Sequence, residues 1–166
     1  MNMNQLTQKT IEALQNAQRL AVEYSNQAVE QEHVLAALAQ QQDGLIPQLL
    51  TKLGVDPNAF AQAALQKVEA LPRVTGSGRD PEKVYISGEL DRAFNAAEEQ
   101  AKQMKDEYIS VEHLFLGMLQ RPGKAAGELF KAFNITLETF MKQLSVVRGN
   151  QRVTSDNPES TYDAVS

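Results

Sequence analysis

Few residues of this chain could do chemistry, and the two histidines stand out because each follows a glutamate. Glu32-His33 and Glu112-His113 contain the only histidines in the sequence. A metal or acid-base site would need further ligands at a fixed spacing, such as the HExxH pattern, and neither pair has it. We therefore predict structural roles. Each imidazole would lie at the third position of a helix and hydrogen-bond the neighbouring connection, and each glutamate would lie in the first turn, where the helix dipole favours a carboxylate.

The sequence also lacks the residues and patterns of other catalytic sites. There are no cysteines, which excludes disulfides, thiolate nucleophiles and cysteine-bound zinc. The glycine-containing stretches at residues 75–78 and 123–124 lack the spacing and the Lys-Ser or Lys-Thr end of a phosphate-binding loop. No strand-turn-helix pattern presents a nucleophilic serine. We predict no catalytic residue, metal or cofactor in this domain. A helical hydrolase is a rival hypothesis that would require a cavity with perturbed titratable groups.

Charge and hydropathy narrow the choice of partners. The net charge of −5 disfavours binding to phosphate backbones, and the basic residues are scattered rather than gathered in one stripe. The first residues, MNMNQLTQKT, lack the basic and apolar regions of a signal peptide, and no stretch approaches the ~20 apolar residues of a membrane span. We expect a cytoplasmic protein that binds neither nucleic acid nor membrane.

The elements that must position these residues come in two copies. An offset of eighty residues relates the two Glu-His pairs and holds without a gap from Leu6 to Glu69. Apolar residues recur at helical spacing in four stretches of each copy. The predicted fold is all-α, with two tandem four-helix repeats and about eight helices in one compact domain. The alanines matched by the offset predict close helix approach: Ala13, Ala17 and Ala21 with Ala93, Ala97 and Ala101.

Helix ends are marked at equivalent positions of the two copies. Asp56 and Thr136 are N-cap candidates, and Pro57 follows Asp56 at the favoured first position. Gly54 and Asn134 share one register, and both residue types tolerate the left-handed backbone that ends helices. Both copies therefore preserve helix geometry while the residue types change.

Composition also predicts the domain boundaries. The domain would span residues 1–148, with repeat one at 6–70, a connector rich in Pro, Gly and charge at 71–85, and repeat two at 86–148. Residues 149–166 lose the apolar rhythm, which is typical of a solvated linker. We expect this linker to lead toward a further domain.

Several motifs resemble the N-terminal region of ClpB-type protein disaggregases. They are EHVLAAL and EHLFLGML, the LGVDP break, the LPRVTGSG connector and the tail VRGNQRVTSDNPESTYDA. The resemblance implies a mobile two-repeat domain that engages unfolded or aggregated polypeptides, in a hexameric machine that cooperates with a DnaK-type chaperone system. ATP and magnesium would bind modules absent from this chain, and we expect the isolated domain to be a monomer.

The same resemblance implies three polar residues in substrate handling. They are Thr7 in QLTQ and Asp106 and Glu112 in KDEYISVEH. Each also has a purely structural interpretation, because Thr7 could cap the first helix, Asp106 could lie in a turn and Glu112 could complement a helix dipole.

A site for unfolded protein also needs apolar surface. The candidates are Phe94, Met104, Tyr108 and Leu114, although Phe94 and Leu114 also fit an ordinary core. In the predicted mechanism, apolar client segments bind weakly in a groove with a polar edge. The alternative is an adaptor-docking or phosphoarginine-reading domain of a ClpC-type unfoldase. Acidic pockets in both repeats would favour it, and the partial loss of charge between residues 26 and 32 speaks against a symmetric pair.

Overall fold

Eight helices form two copies of one four-helix unit in the computed structural model, which describes residues 5–74, 84–149, 151 and 153–154. This confirms the predicted all-α repeat fold for the described part of the chain. The first repeat has α1 Gln8–Glu23, α2 Gln31–Ala39, α3 Leu45–Lys52 and α4 Pro57–Glu69; the second has α5 Gly88–Gln103, α6 Val111–Gln120, α7 Lys124–Ala132 and α8 Leu137–Arg148.

The predicted helix ends are present. Asp56 accepts a hydrogen bond from Asn58 N at the start of α4, and Thr136 accepts one from Thr139 N at the start of α8. Gly54 and Asn134 have positive φ angles of 80° and 61°. Local signals therefore determined where these helices begin and end.

The two repeats exchange backbone hydrogen bonds at equivalent positions. Strand β1 (Ala28–Val29) pairs in parallel with β2 (Tyr85–Ile86), and an isolated bridge joins Leu6 to Ile109. Ser87 N donates to Val29 O and Thr7 N donates to Ile109 O, both at 3.1 Å. The two bonds are related by the eighty-residue offset: in each repeat, the residue just before the first helix donates to the residue two positions before the second helix of the other repeat.

One hydrophobic core runs through both repeats. All nine residues of α2 are buried, and rings from both repeats meet beside α6. The rings of Phe115 and Phe140 stack with centroids 4.5 Å apart, and Phe60 lies 6.5 Å from Phe115. The repeats consequently fold as one domain rather than as two separate units.

The packed body extends past the predicted ends of both repeats. After α4, Val74 N donates to Ser25 O at 2.7 Å; after α8, Glu107 N donates to Val153 O at the same distance. Val153 is completely buried. Val74 and Val153 therefore pack against the repeats that precede them. Of the predicted connector and linker, residues 75–83, 150, 152 and 155–166 lie outside the described residues.

Candidate functional site

The two histidines cap helices in the same way. In repeat two, Ser110 N donates to His113 Nδ1 at 2.9 Å, and His113 Nε2 donates to Asp106 Oδ2 at 2.6 Å. In repeat one, Glu30 N donates to His33 Nδ1 at 2.9 Å. Both rings are completely buried, and both nitrogens of each are engaged, so neither is available as a general base or a metal ligand.

The predicted structural role of the two histidines is thus confirmed, and their hydrogen bonds fix the loop before the second helix of each repeat. His33 Nε2 lies 2.8 Å from Asn26 Oδ1, the counterpart of the His113 bond to Asp106. Each imidazole ties the start of the second helix to the end of the preceding turn, seven residues earlier in the chain. The Glu-His pattern therefore marks a helix start with a capping histidine rather than a reactive site.

Asp106 is the hub of a buried polar cluster in repeat two. Its side chain is 0% exposed and accepts hydrogen bonds from both terminal nitrogens of Arg148, at 2.8 and 2.7 Å. Val153 N donates to Asp106 Oδ1 at 2.9 Å. Burial acts to raise the pKa of Asp106, but the hydrogen bonds from His113, Arg148 and Val153 outweigh it and hold that pKa well below its usual range.

Glu112 is the second carboxylate of this cluster. Its side chain is 0% exposed, and its Oε2 lies 3.5 Å from Arg148 Nη1. Ser110 Oγ donates a short hydrogen bond to Glu112 Oε1. The guanidinium of Arg148 therefore lies beside two buried carboxylates. Glu112 takes part in this ionic cluster, in addition to the helix-dipole role considered from the sequence.

Repeat one lacks that cluster. The offset of eighty places Asn26 at the position of Asp106, Val68 at that of Arg148 and Glu32 at that of Glu112. Without an equivalent guanidinium, burial raises the pKa of Glu32 to about 7. Glu32 lines a groove of about 670 Å³ between the repeats, together with three cationic side chains: Lys67, Arg92 and Lys124.

The structure brings the three implicated polar residues to one region and buries the side chain of each. Thr7 is 0% exposed and caps α1, accepting a hydrogen bond from Thr10 N, as its structural interpretation predicts. Its own backbone N–H donates to Ile109 O, between Asp106 and Glu112 in the chain. The three side chains are therefore neighbours of one loop rather than an open polar rim.

The four apolar candidates separate into two groups. Phe94 of α5 and Leu114 of α6 are 1% and 0% exposed within the hydrophobic core, and they offer no surface to a partner. Met104 and Tyr108 are only partly buried. Met104 lines a surface cavity of about 170 Å³ with Met141, Leu144 and Arg148.

Sequence reasoning missed Arg148 and Met141. A signal for Arg148 was available, because it follows Phe140 and Leu144 at four-residue spacing and so continues the buried stripe of α8. A charged residue on such a stripe needs a buried partner. No comparable signal existed for Met141, whose role depends on its distance from Met104.

The part of the chain that the structure describes contains no group of three or more metal-ligating side chains. Within the same residues, no helix is long and apolar enough to cross a membrane. What the fold and the site define is a helical repeat domain with a buried ionic cluster and small surface cavities.

Comparisons with known proteins agree with this description. A model of the Clp repeat (R) N-terminal domain family matches residues 5–133. The chaperone protein ClpB of Bacillus cereus is 43% identical over 99% of this chain, and that of Nitratidesulfovibrio vulgaris is 40% identical over 99%. The chain belongs to the Clp repeat N-terminal domain family. It spans about a fifth of the length of these relatives, 19% in each case.

Solved structures share the fold. The N-terminal domain of Hsp104 from Candida albicans superposes with a TM-score of 0.79 at 22% identity, covering 93% of this chain and 98% of that chain. The ClpV N-domain in complex with a VipB peptide gives a TM-score of 0.68 at 18% identity, covering 91% of each chain.

Proposed function

We propose that this domain engages unfolded or aggregated polypeptides as the N-terminal domain of an ATP-dependent disaggregase. The observation that carries the proposal is the surface cavity lined by Met104, Met141 and Leu144, in a chain related to ClpB chaperones. Methionine side chains are flexible and polarisable, so they accept apolar groups of varied shape. Such a surface suits a partner without a fixed sequence.

The size of the cavity favours weak, transient capture. At about 170 Å³ it is smaller than the ~300–1,000 Å³ of pockets for drug-sized ligands, and it has room for one side chain at a time. Its edge carries Gln103, Lys105 and Arg148 rather than the buried carboxylates. Weak binding of single side chains would allow a client to be released to another part of the machine.

The domain itself would be non-catalytic. In this proposal ATP, magnesium, the hexamer and cooperation with a DnaK-type system belong to the larger protein, which would work in the cytoplasm. A chain of the same fold, the ClpV N-domain, has been solved in complex with a peptide. Peptide binding by this fold is therefore chemically reasonable here.

An NMR titration of the chain with a permanently unfolded model client tests the proposal. We expect shifts at Met104, Met141 and Leu144, and a weaker response in Met104→Ser. Val146→Ser is the matched control, because Val146 is a 69% exposed apolar residue of α8, the helix of Met141 and Leu144, and does not line the cavity. Absence of shifts at millimolar client, or equal losses in both variants, would contradict it.

The second candidate function is reading of phosphoarginine or docking of an adaptor, as in ClpC-type unfoldases. The groove between the repeats favours it, because Glu32 is a buried carboxylate without the guanidinium that its counterpart Glu112 has. Lys67 and Lys124 line the same groove and could meet a phosphate. Only repeat one would offer such a site, since Arg148 already lies between the carboxylates of repeat two.

A titration with free phosphoarginine separates the two functions. Shifts centred on Glu32 that disappear in Glu32→Gln and are not produced by arginine alone would favour the second candidate. Glu128→Gln is the control, since Glu128 lines the groove but is half-exposed and bridged to Lys67 at 3.1 Å.

A further inference from the structure

The carboxylate of Asp106 has no capacity left for a client. Each of its oxygens accepts two hydrogen bonds from this chain: Oδ1 from Arg148 Nη2 and Val153 N, and Oδ2 from Arg148 Nη1 and His113 Nε2. A carboxylate has about four lone-pair sites, so this set is complete. The side chain is also 0% exposed.

These bonds fasten the chain that follows α8. Arg148 Nη2 donates to Gln151 O at 2.9 Å, and Gln151 N donates back to Arg148 O at 3.1 Å. Val153 donates to Asp106 and accepts from Glu107 N. We call Gln151 and Val153 the docked segment. It is held at both described residues by the loop that carries Asp106 and by the end of α8.

Repeat one holds its equivalent segment by other contacts, among them Arg73, whose guanidinium lies over the Tyr24 ring at 5.7 Å from its centroid. There Asn26 Nδ2 donates to Pro72 O at 3.3 Å, and Val74 N donates to Ser25 O at 2.7 Å. Val68 stands where Arg148 would be. Among the described residues, a carboxylate–guanidinium pair therefore holds this segment in repeat two only.

We propose that Asp106 and Arg148 form a lock that holds the docked segment on repeat two, and that Asp106 influences clients only through this lock. Asp106 is thus a positioning residue rather than a client contact. The second half of the proposal rests on the proposed function; the first half does not.

The lock also shapes the wall of the client cavity. Arg148 lines that cavity, and its Nη1 lies 4.0 Å from Met104 Sδ. Opening the lock removes the two hydrogen bonds from the guanidinium to Asp106 and changes the wall beside Met104. A loss of client affinity after substitution of Asp106 would therefore arise without any contact between that carboxylate and the client.

Amide hydrogen exchange of the 166-residue chain tests the lock directly. Asp106→Asn keeps the shape but removes the charge, and Arg148→Met removes the guanidinium. We expect either variant to accelerate exchange at the amides of Val153 and Glu107 at least tenfold. Asn26→Ala, the matched change in repeat one, should leave both amides protected. Unchanged protection in Asp106→Asn or Arg148→Met would overturn the proposal.

Client titrations of Asp106→Asn, Arg148→Met and the double variant test the positioning role. A thermal melt verifies that each variant is folded. Under the proposal, Asp106 affects the client cavity only through Arg148, so the double variant binds the client as tightly as Arg148→Met does. A further loss of more than fivefold in the double variant would make Asp106 a client contact and overturn it. If the wild type binds no client, the proposed function fails while hydrogen exchange still decides on the lock.

Discussion

Gly117 of α6 lies directly against Ala93 of α5: a Cβ at residue 117 would be 2.2 Å from the Ala93 carbonyl oxygen. The same Cβ would be 3.0 Å from Ala97 N. Backbone atoms cannot rotate away, so any larger side chain at residue 117 must separate two helices. The equivalent residue of repeat one is Ala37, so α2 carries a Cβ at the position where α6 has none.

We therefore expect Gly117→Ala to lower the free energy of unfolding, by roughly 1–3 kcal/mol for overpacking. Gly127→Ala is the matched control. Its Cβ would meet only Pro122 Cβ at 3.8 Å, so the gain of about 0.5–1 kcal/mol in helix propensity should appear. Urea denaturation measures both. Equal effects of the two substitutions would contradict the close approach of α5 and α6.

Loss of Asp106 should destabilise the fold strongly. Asp106→Ala leaves the guanidinium of Arg148 buried without its bidentate partner, which costs about 3–5 kcal/mol. Lys67→Ala is the control because it removes the exposed bridge to Glu128 and should cost less than about 1 kcal/mol. The double variant Asp106→Ala/Arg148→Met should cost less than the two single changes together. Additive losses would show that these side chains do not interact energetically.

The pH dependence of stability should contain two opposing contributions from repeat one. Burial lowers the pKa of His33 to about 4, so between pH 4 and 6.5 the unfolded state binds more protons there, and stability rises with pH. Burial raises the pKa of Glu32 to about 7, so between pH 4.5 and 7 the folded state retains a proton that the unfolded state has lost. The contribution of Glu32 to the free energy of unfolding therefore falls as the pH rises through this range.

Glu32→Gln separates the two contributions. We expect its stability to rise with pH from 4 to 6.5 more steeply than that of the wild type, and to exceed it at about pH 8 by at most about 3 kcal/mol. His33→Gln should show the opposite slope between pH 4.5 and 7. Denaturation curves across this range measure both, and parallel profiles for Glu32→Gln and the wild type would exclude a buried, shifted Glu32.

The positive φ angles of Gly54 and Asn134 predict opposite effects of substitution on stability at these two equivalent positions. Gly54→Ala should cost about 1–2 kcal/mol, because φ of 80° forces a Cβ into the left-handed region. Asn134→Gly should be neutral or slightly stabilising, since Asn134 already has φ of 61°. Gly54→Asn serves as the intermediate control. Thermal melts of the three variants rank them, and a larger loss in Asn134→Gly than in Gly54→Ala would contradict the assignment.

Much of the fold followed from short-range physics in the sequence. The offset of eighty residues, the cap residues and the left-handed positions predicted eight helices and their equivalence, because each signal acts within one or two turns of chain. His33 and His113 were predicted at the third helical position for the same reason. The nearby hydrogen bonds to Asn26 and Asp106 lie seven residues away and remain local.

Only the tertiary structure decided how the site is built. Asp106 and Arg148 lie 42 residues apart, and Val153 lies 47 residues from Asp106, so no local pattern connects them. Burial decides the roles of the predicted residues. Asp106 and Glu112 pair with the buried guanidinium of Arg148, whereas Phe94 and Leu114 belong to the hydrophobic core. Sequence spacing determines which face of a helix a residue occupies, whereas the packing of other elements on that face determines whether it meets solvent, a partner or the core.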